Sequence, residues 1–140
     1  MKIAVLLPCL LWVWGCEQDP VSPVVDNSAQ NKAGIKLHID LQDGFAGKAV
    51  RIRLNGQERF QALLSEAEPF AGPQASFTTR VSLAQIRLAA SWVCMDAAAC
   101  AARSDSADLN LGGLDTYYIG LAVIDDSLEV RVLDRPFLYF

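Results

Sequence analysis

Ile35-Lys36-Leu37-His38-Ile39-Asp40-Leu41-Gln42 alternates apolar and polar side chains without interruption. A period of two puts Ile35, Leu37, Ile39 and Leu41 on one face of an extended chain and Lys36, His38, Asp40 and Gln42 on the other. A helix would scatter the same residues around its circumference, so the segment predicts a strand with one buried face. The same period returns downstream. Val50, Ile52 and Leu54 alternate with Arg51 and Arg53, Asn55-Gly56 supplies a two-residue type I′ turn signal, and Phe60, Ala62 and Leu64 continue after it. Phe77, Thr79, Val81 and Leu83 alternate with Ser76, Thr78, Arg80 and Ser82. Ile86, Leu88, Ala90 and Trp92 fit another strand, with Arg87 and Ser91 facing the other way, although the alanine-rich surroundings leave a helix open.

Residues 117–124 are almost continuously apolar, which suits a central strand covered on both faces. Asp125-Asp126-Ser127 marks a turn, and Leu128, Val130 and Val132 then alternate with Glu129 and Arg131. Pro136 restricts residues 137–140 to an edge or a strand start. The pattern amounts to about eight short strands and no long helix, an all-β chain forming a single antiparallel β-sandwich over residues 34–140, immunoglobulin-like or jelly-roll-like. The structural rival is a transmembrane barrel, since Phe140 resembles the ending of many outer-membrane barrels. Several of the strands, however, are shorter than the roughly 9–11 residues that spanning requires.

Residues 1–16 follow a different pattern. Lys2 precedes an apolar run over residues 3–14, too short for the roughly 20 residues of a spanning helix and interrupted by Pro8. Val13-Trp14-Gly15-Cys16 ends it. This stretch resembles the signal peptide of bacterial lipoproteins, with Val13, Gly15 and Cys16 matching the cleavage pattern and Trp14 bulkier than the usual residue. The resemblance implies cleavage before Cys16, lipidation of its sulfur, and membrane attachment through the acyl chains. Glu17 stands where Asp commonly marks inner-membrane retention, which favours the outer membrane or cell surface. Residues 17–33, with Pro20, Pro23, Ser22, Ser28, Asn27 and Asn31, suit a flexible tether spanning roughly 20–25 Å. An edge strand through Val21, Val24 and Val25 is the alternative. The expected plan is therefore a signal peptide over 1–15, lipidated Cys16 and tether over 16–33, and one domain over 34–140.

The whole chain carries 12 Lys+Arg against 16 Asp+Glu, net −4, and has no basic run, so a nucleic-acid partner is not expected. Of the four cysteines, Cys9 falls in the signal and Cys16 is assigned to lipid, leaving Cys94 and Cys100. An even pair in an exported chain favours a disulfide. Free thiols remain open, whereas thiol redox work would want a shorter spacing and a metal site more ligands.

Catalytic signals are sparse. His38 is the single histidine and sits on the polar side of its strand with no nucleophile motif nearby. Gly44-Phe45-Ala46-Gly47-Lys48 lacks the spacing and the following Ser/Thr of a phosphate loop, so no cofactor is expected. Asp105, Asp108, Asn110 and Asp115 form the one oxygen-rich group able to attract a hard cation. Glu66 and Glu68 share a loop that suits a ligand contact or a crossover. Trp92, Tyr117, Tyr118, Phe137, Tyr139 and Phe140 concentrate aromatic surface in the second half, for the core or for stacking on a partner. The leading expectation is a non-catalytic binding or structural module with a protein or glycan partner at the envelope. Two alternatives stand beside it: an inhibitor of a lytic enzyme such as lysozyme, and a small carboxylate-dependent hydrolase.

Overall fold

A computed structural model describes residues 34–66, 72–96 and 100–140. Residues 1–33, on which the expected signal peptide, lipid site at Cys16 and tether fall, lie outside the described residues, as does Glu68. Among the described residues eight strands follow one another: β1 (Ile35–Leu41), β2 (Lys48–Leu54), β3 (Gln57–Leu63), β4 (Ala75–Val81), β5 (Gln85–Cys94), β6 (Arg103–Asn110), β7 (Thr116–Ile124) and β8 (Ser127–Leu133). They form two four-stranded sheets, ordered β4-β1-β7-β8 and β3-β2-β5-β6, packed face to face as an all-β sandwich. The strands do not close into a barrel, and their apolar faces turn inward, the opposite of a lipid-facing wall.

Alternation in the sequence becomes alternation in burial. Leu37, Ile39 and Leu41 from β1, Val50, Ile52 and Leu54 from β2, Ile86, Leu88, Ala90 and Trp92 from β5, and Tyr117, Ile119, Leu121 and Val123 from β7 make the core. Each large aliphatic side chain so buried contributes about 1.5–3 kcal/mol. Ile86 to Trp92 are therefore strand, not helix: period-two burial against two neighbouring strands overrides the weak β-propensity of the alanines. At Asn55-Gly56, φ values of 50° and 80° build the I′ turn, and Asp125-Asp126 makes a second tight turn with φ of 50° and 61°.

Three features depart from the sequence reading. β1 and β7 pair in parallel, with Leu37 opposite Tyr117 and Ile39 opposite Ile119. Successive strands reverse direction, so odd-numbered strands all run one way, and any two made neighbours must be parallel. β6 is a full strand along β5, although its Ser- and Asp-rich sequence has little apolar content; edge position permits that composition. Residues 137–140 are not a strand. They lie over the outer face of the first sheet, where the ring of Phe137 approaches Gly120.

The two open sides of the sandwich are closed differently. Phe60 of β3 and Phe77 of β4 stack with centroids 4.8 Å apart. Between β6 and β8 the closure is polar: Leu128 N–H donates to Asp105 Oδ2 at 3.0 Å, and Arg103 pairs with Asp126 at 3.3 Å. Gly34, the residue before β1, sits beside Val81 at the lower end, level with the Asn55-Gly56 turn. Cys94, Leu63 and the start of β2 lie at the upper end, seven residues or about 20 Å along the strands.

Candidate functional site: the outer face of the second sheet

On the outer face of the second sheet, outward positions alternate with the core residues of β2, β3 and β5. In register they run Leu63–Ala49–Val93, then Gln61–Arg51–Ser91, with Arg53 beside Ala89 below. Ala49, Ala89 and Ser91 carry short side chains, so the middle of the face is low. Leu63 and Val93 rise at the upper rim and are exposed, as is Met95 just beyond. Ala49, Arg51, Gln61, Leu63, Ser91 and Val93 thereby line an open depression of about 690 Å³. Arg51 Nε lies 2.8 Å from Glu58 Oε2, a contact of charges without hydrogen-bond alignment. Arg87, lower on the face, donates to Ser106 Oγ at 3.1 Å and stands opposite Asp108.

Cys94 and Cys100 form a disulfide at the upper end of this face, with Cα atoms 5.6 Å apart, as the cysteine count predicts. The backbone N–H of Cys94 also donates to Cys100 Sγ at 3.2 Å. The bridge ties the end of β5 to the chain entering β6 and so fixes the upper border of the depression.

The outer face of the first sheet is polar and partly covered. His38 stacks on Tyr118 across the parallel β1–β7 pair, centroids 4.9 Å apart and planes within 9°. Its Nδ1 shares a 3.0 Å hydrogen bond with Thr78 Oγ1. Partial burial, then the Lys36 charge, lower the pKa of His38, while Asp40 opposes them. Ser76 donates to Asp40 Oδ1 at 2.7 Å, and Tyr139 donates to Asp40 Oδ2 at 2.7 Å. His38, Asp40, Ser76, Thr78 and Tyr139 are half-buried or exposed, and each is engaged with a neighbour. His38 meets the Thr78 hydroxyl, but Asp40, the nearby carboxylate on β1, is engaged by Ser76 and Tyr139 and not by the imidazole it would have to orient.

The remaining candidates separate. Trp92 and Tyr117 are core residues: Trp92 packs edge-on to Phe45 with centroids 6.3 Å apart, and Tyr117 donates to Gly112 O at 2.6 Å. Neither is available for a partner. Tyr118 and Tyr139 reach the surface of the first sheet, and Phe140 is exposed beyond them.

The oxygen-rich group disperses along β6 and its following loop. Asp105 accepts from Leu128 N–H and Ser106 N–H, and these backbone bonds hold its carboxyl below the usual range. Asp108 faces outward beside Arg87, Asn110 ends the strand opposite Gln85, and Asp115 lies in the loop below. Among the described residues no three His, Cys, Asp or Glu side chains converge. Glu66 packs against Gly47. Among the described residues no polar or charged side chain is buried.

The depression is hard to read from the sequence because its residues are small or apolar on the solvent side. The available signal was Leu63 and Val93, each an apolar residue at a position where alternation calls for a polar one. The chain matches no protein-family model, no curated protein and no solved structure.

Proposed function

We propose that this chain is a lipid-anchored envelope protein whose sandwich is a non-catalytic binding module. The observation that carries the reading is the position of the depression: an open, small-floored face at the end of the domain away from Gly34. An anchor at Cys16 and a tether over residues 17–33 would enter at Gly34, leaving the depression turned away from the bilayer. The disulfide supports export, because such bonds persist in oxidising compartments. The exposed carboxylates and the lone stacked histidine give a hydrolase no enclosed site.

The test has two arms in the bacterium that makes the protein. A palmitate analogue is expected to label the chain and to leave it unlabelled after Cys16→Ser, with the variant released from the membrane fraction. A photo-crosslinker placed at Ser91 is expected to give an adduct in intact cells that a crosslinker at Arg80, on the other sheet, does not give. Label retained by Cys16→Ser overturns the anchor, and equal adducts from both faces overturn the binding surface.

A further inference from the structure

Resting on that reading of the second sheet, we propose that the depression receives an extended, acidic and apolar segment of a partner protein. The spacing of charge is the first reason. Arg51 lines the depression and Arg53, the next outward residue of β2, stands just beyond its lower edge, so their Cα atoms lie about 6.8 Å apart. That is also the repeat between alternate side chains of an extended peptide, so carboxylates at its alternate positions meet successive guanidinium groups. Arg–carboxylate contacts are strong and directional when two-pronged.

The sign of the face is the second reason. The chain as a whole carries net −4, yet this face presents Arg51, Arg53 and Arg87 against Glu58 and Asp108. Arg51 already touches Glu58, but without hydrogen-bond alignment and with both side chains more than 40% exposed. Such surface pairs hold about 0–1 kcal/mol, so an incoming carboxylate replaces Glu58 at little cost.

Shape and surface chemistry select peptide over glycan. Ala49, Ala89 and Ser91 leave room for a backbone to lie close to the sheet. Leu63 and Val93 at the rim offer apolar contact that aliphatic side chains on the segment would cover. Sugar rings stack on exposed aromatic faces, and the one aromatic residue beneath this depression, Trp92, is turned into the core.

The test uses the full chain in detergent micelles and three fluorescent octapeptides whose even positions share the face turned to the sheet: Ser-Val-Ser-Glu-Ser-Glu-Ser-Val (Glu-Val), the same peptide with Lys for Glu (Lys-Val), and the same peptide with Ser for Val (Glu-Ser). An oligogalacturonate of matched charge serves as the acidic glycan. Glu-Val is expected to bind roughly tenfold more tightly than any of the other three, and to lose roughly tenfold on Arg51→Gln with Arg53→Gln. Ser91→Trp, which fills the floor, is expected to abolish binding. Equal affinity for Glu-Val and Lys-Val overturns the inference without reference to any variant, and tighter binding of the oligogalacturonate replaces peptide with glycan. If the Ser91 crosslinker gives its adduct in cells while the peptides show no preference, the binding module stands and only the acidic partner falls. If neither is seen, both fall.

Discussion

Tyr139 Oη donates to Asp40 Oδ2 at 2.7 Å across a sequence separation of 99 residues, while Gln42 Nε2 donates to the same Tyr139 oxygen at 3.2 Å. This pair of bonds fastens the chain beyond β8 over the first sheet. Phe137 lies in the same segment, near Gly120, where the absence of a side chain makes room for its ring. The fastening is tertiary. No local rule places residue 139 beside residue 40.

Tyr139 is expected to titrate late. Partial burial, then the hydrogen bond to Asp40, raise its pKa to about 12. A raised phenol pKa means the folded protein prefers the neutral form. Its contribution to stability is complete below the ordinary value near 10 and disappears as pH climbs through about 12. Ultraviolet difference titration of wild type and Tyr139→Phe isolates this step. A normal pKa for the missing phenol contradicts the contact.

Gly44 and Gly120 are expected to respond differently to alanine. Gly44 has φ of 82°, and a Cβ there would collide with the backbone carbonyl of Val123, which cannot yield without breaking the pairing that continues past β1. Gly44→Ala is expected to cost about 2–4 kcal/mol in urea unfolding. At Gly120 the added carbon would meet Gln42 Nε2 at 2.6 Å and Phe137 Cζ at 2.8 Å, the ends of side chains that can swing away. Gly120→Ala is expected to cost about 1 kcal/mol or less and to speed amide exchange in residues 137–140. Equal destabilisation by the two would refute this difference.

Reduction of Cys94–Cys100 is expected to destabilise the domain modestly. The bridge closes a short ring with a sequence separation of 6. Loop-closure entropy then gives about 2 kcal/mol. Denaturant midpoints of wild type and of Cys94→Ala with Cys100→Ala measure it. Amide exchange should change most between Met95 and Arg103, and an unchanged upper end would show that the bridge adds nothing there.

Asp105 is expected to govern the acid behaviour of the β6–β8 junction. The Leu128 N–H bond, then the Ser106 N–H bond, lower its pKa. The folded state therefore prefers the carboxylate. That preference is present above the unfolded value of 3.8 and is lost as pH falls through the lowered folded pKa. NMR should show the Leu128 amide shift following the Asp105 titration, and Asp105→Ala should accelerate exchange at Leu128 without unfolding the sheets. A Leu128 amide indifferent to that titration would sever the link.

Most strands were legible because their signal is local. Leu37, Ile39 and Leu41, or Val50, Ile52 and Leu54, announce a buried face by spacing alone, and Asn55-Gly56 announces its turn by backbone preference. β6 was nearly invisible, since its side chains bury little and its pairing is supplied by β5. The aromatic residues divide between the two options the sequence left open: Trp92 and Tyr117 belong to the core, where large side chains contribute most to burial, while Tyr118 and Tyr139 reach the surface. The depression is not legible in the sequence because Ala49, Gln61 and Ser91 acquire meaning only when three strands lie side by side.

The sequence by itself determined the strand period, the inner faces, the tight turns and the cysteine pair available for bridging, all set by short-range geometry and side-chain chemistry. The tertiary structure alone decided that β1 and β7 run parallel, that Tyr139 reaches Asp40, and that small outward residues on neighbouring strands gather beneath Leu63 and Val93. Those outcomes depend on which distant segments become neighbours, and the free energy that selects them is spread over the whole core rather than written at any one position.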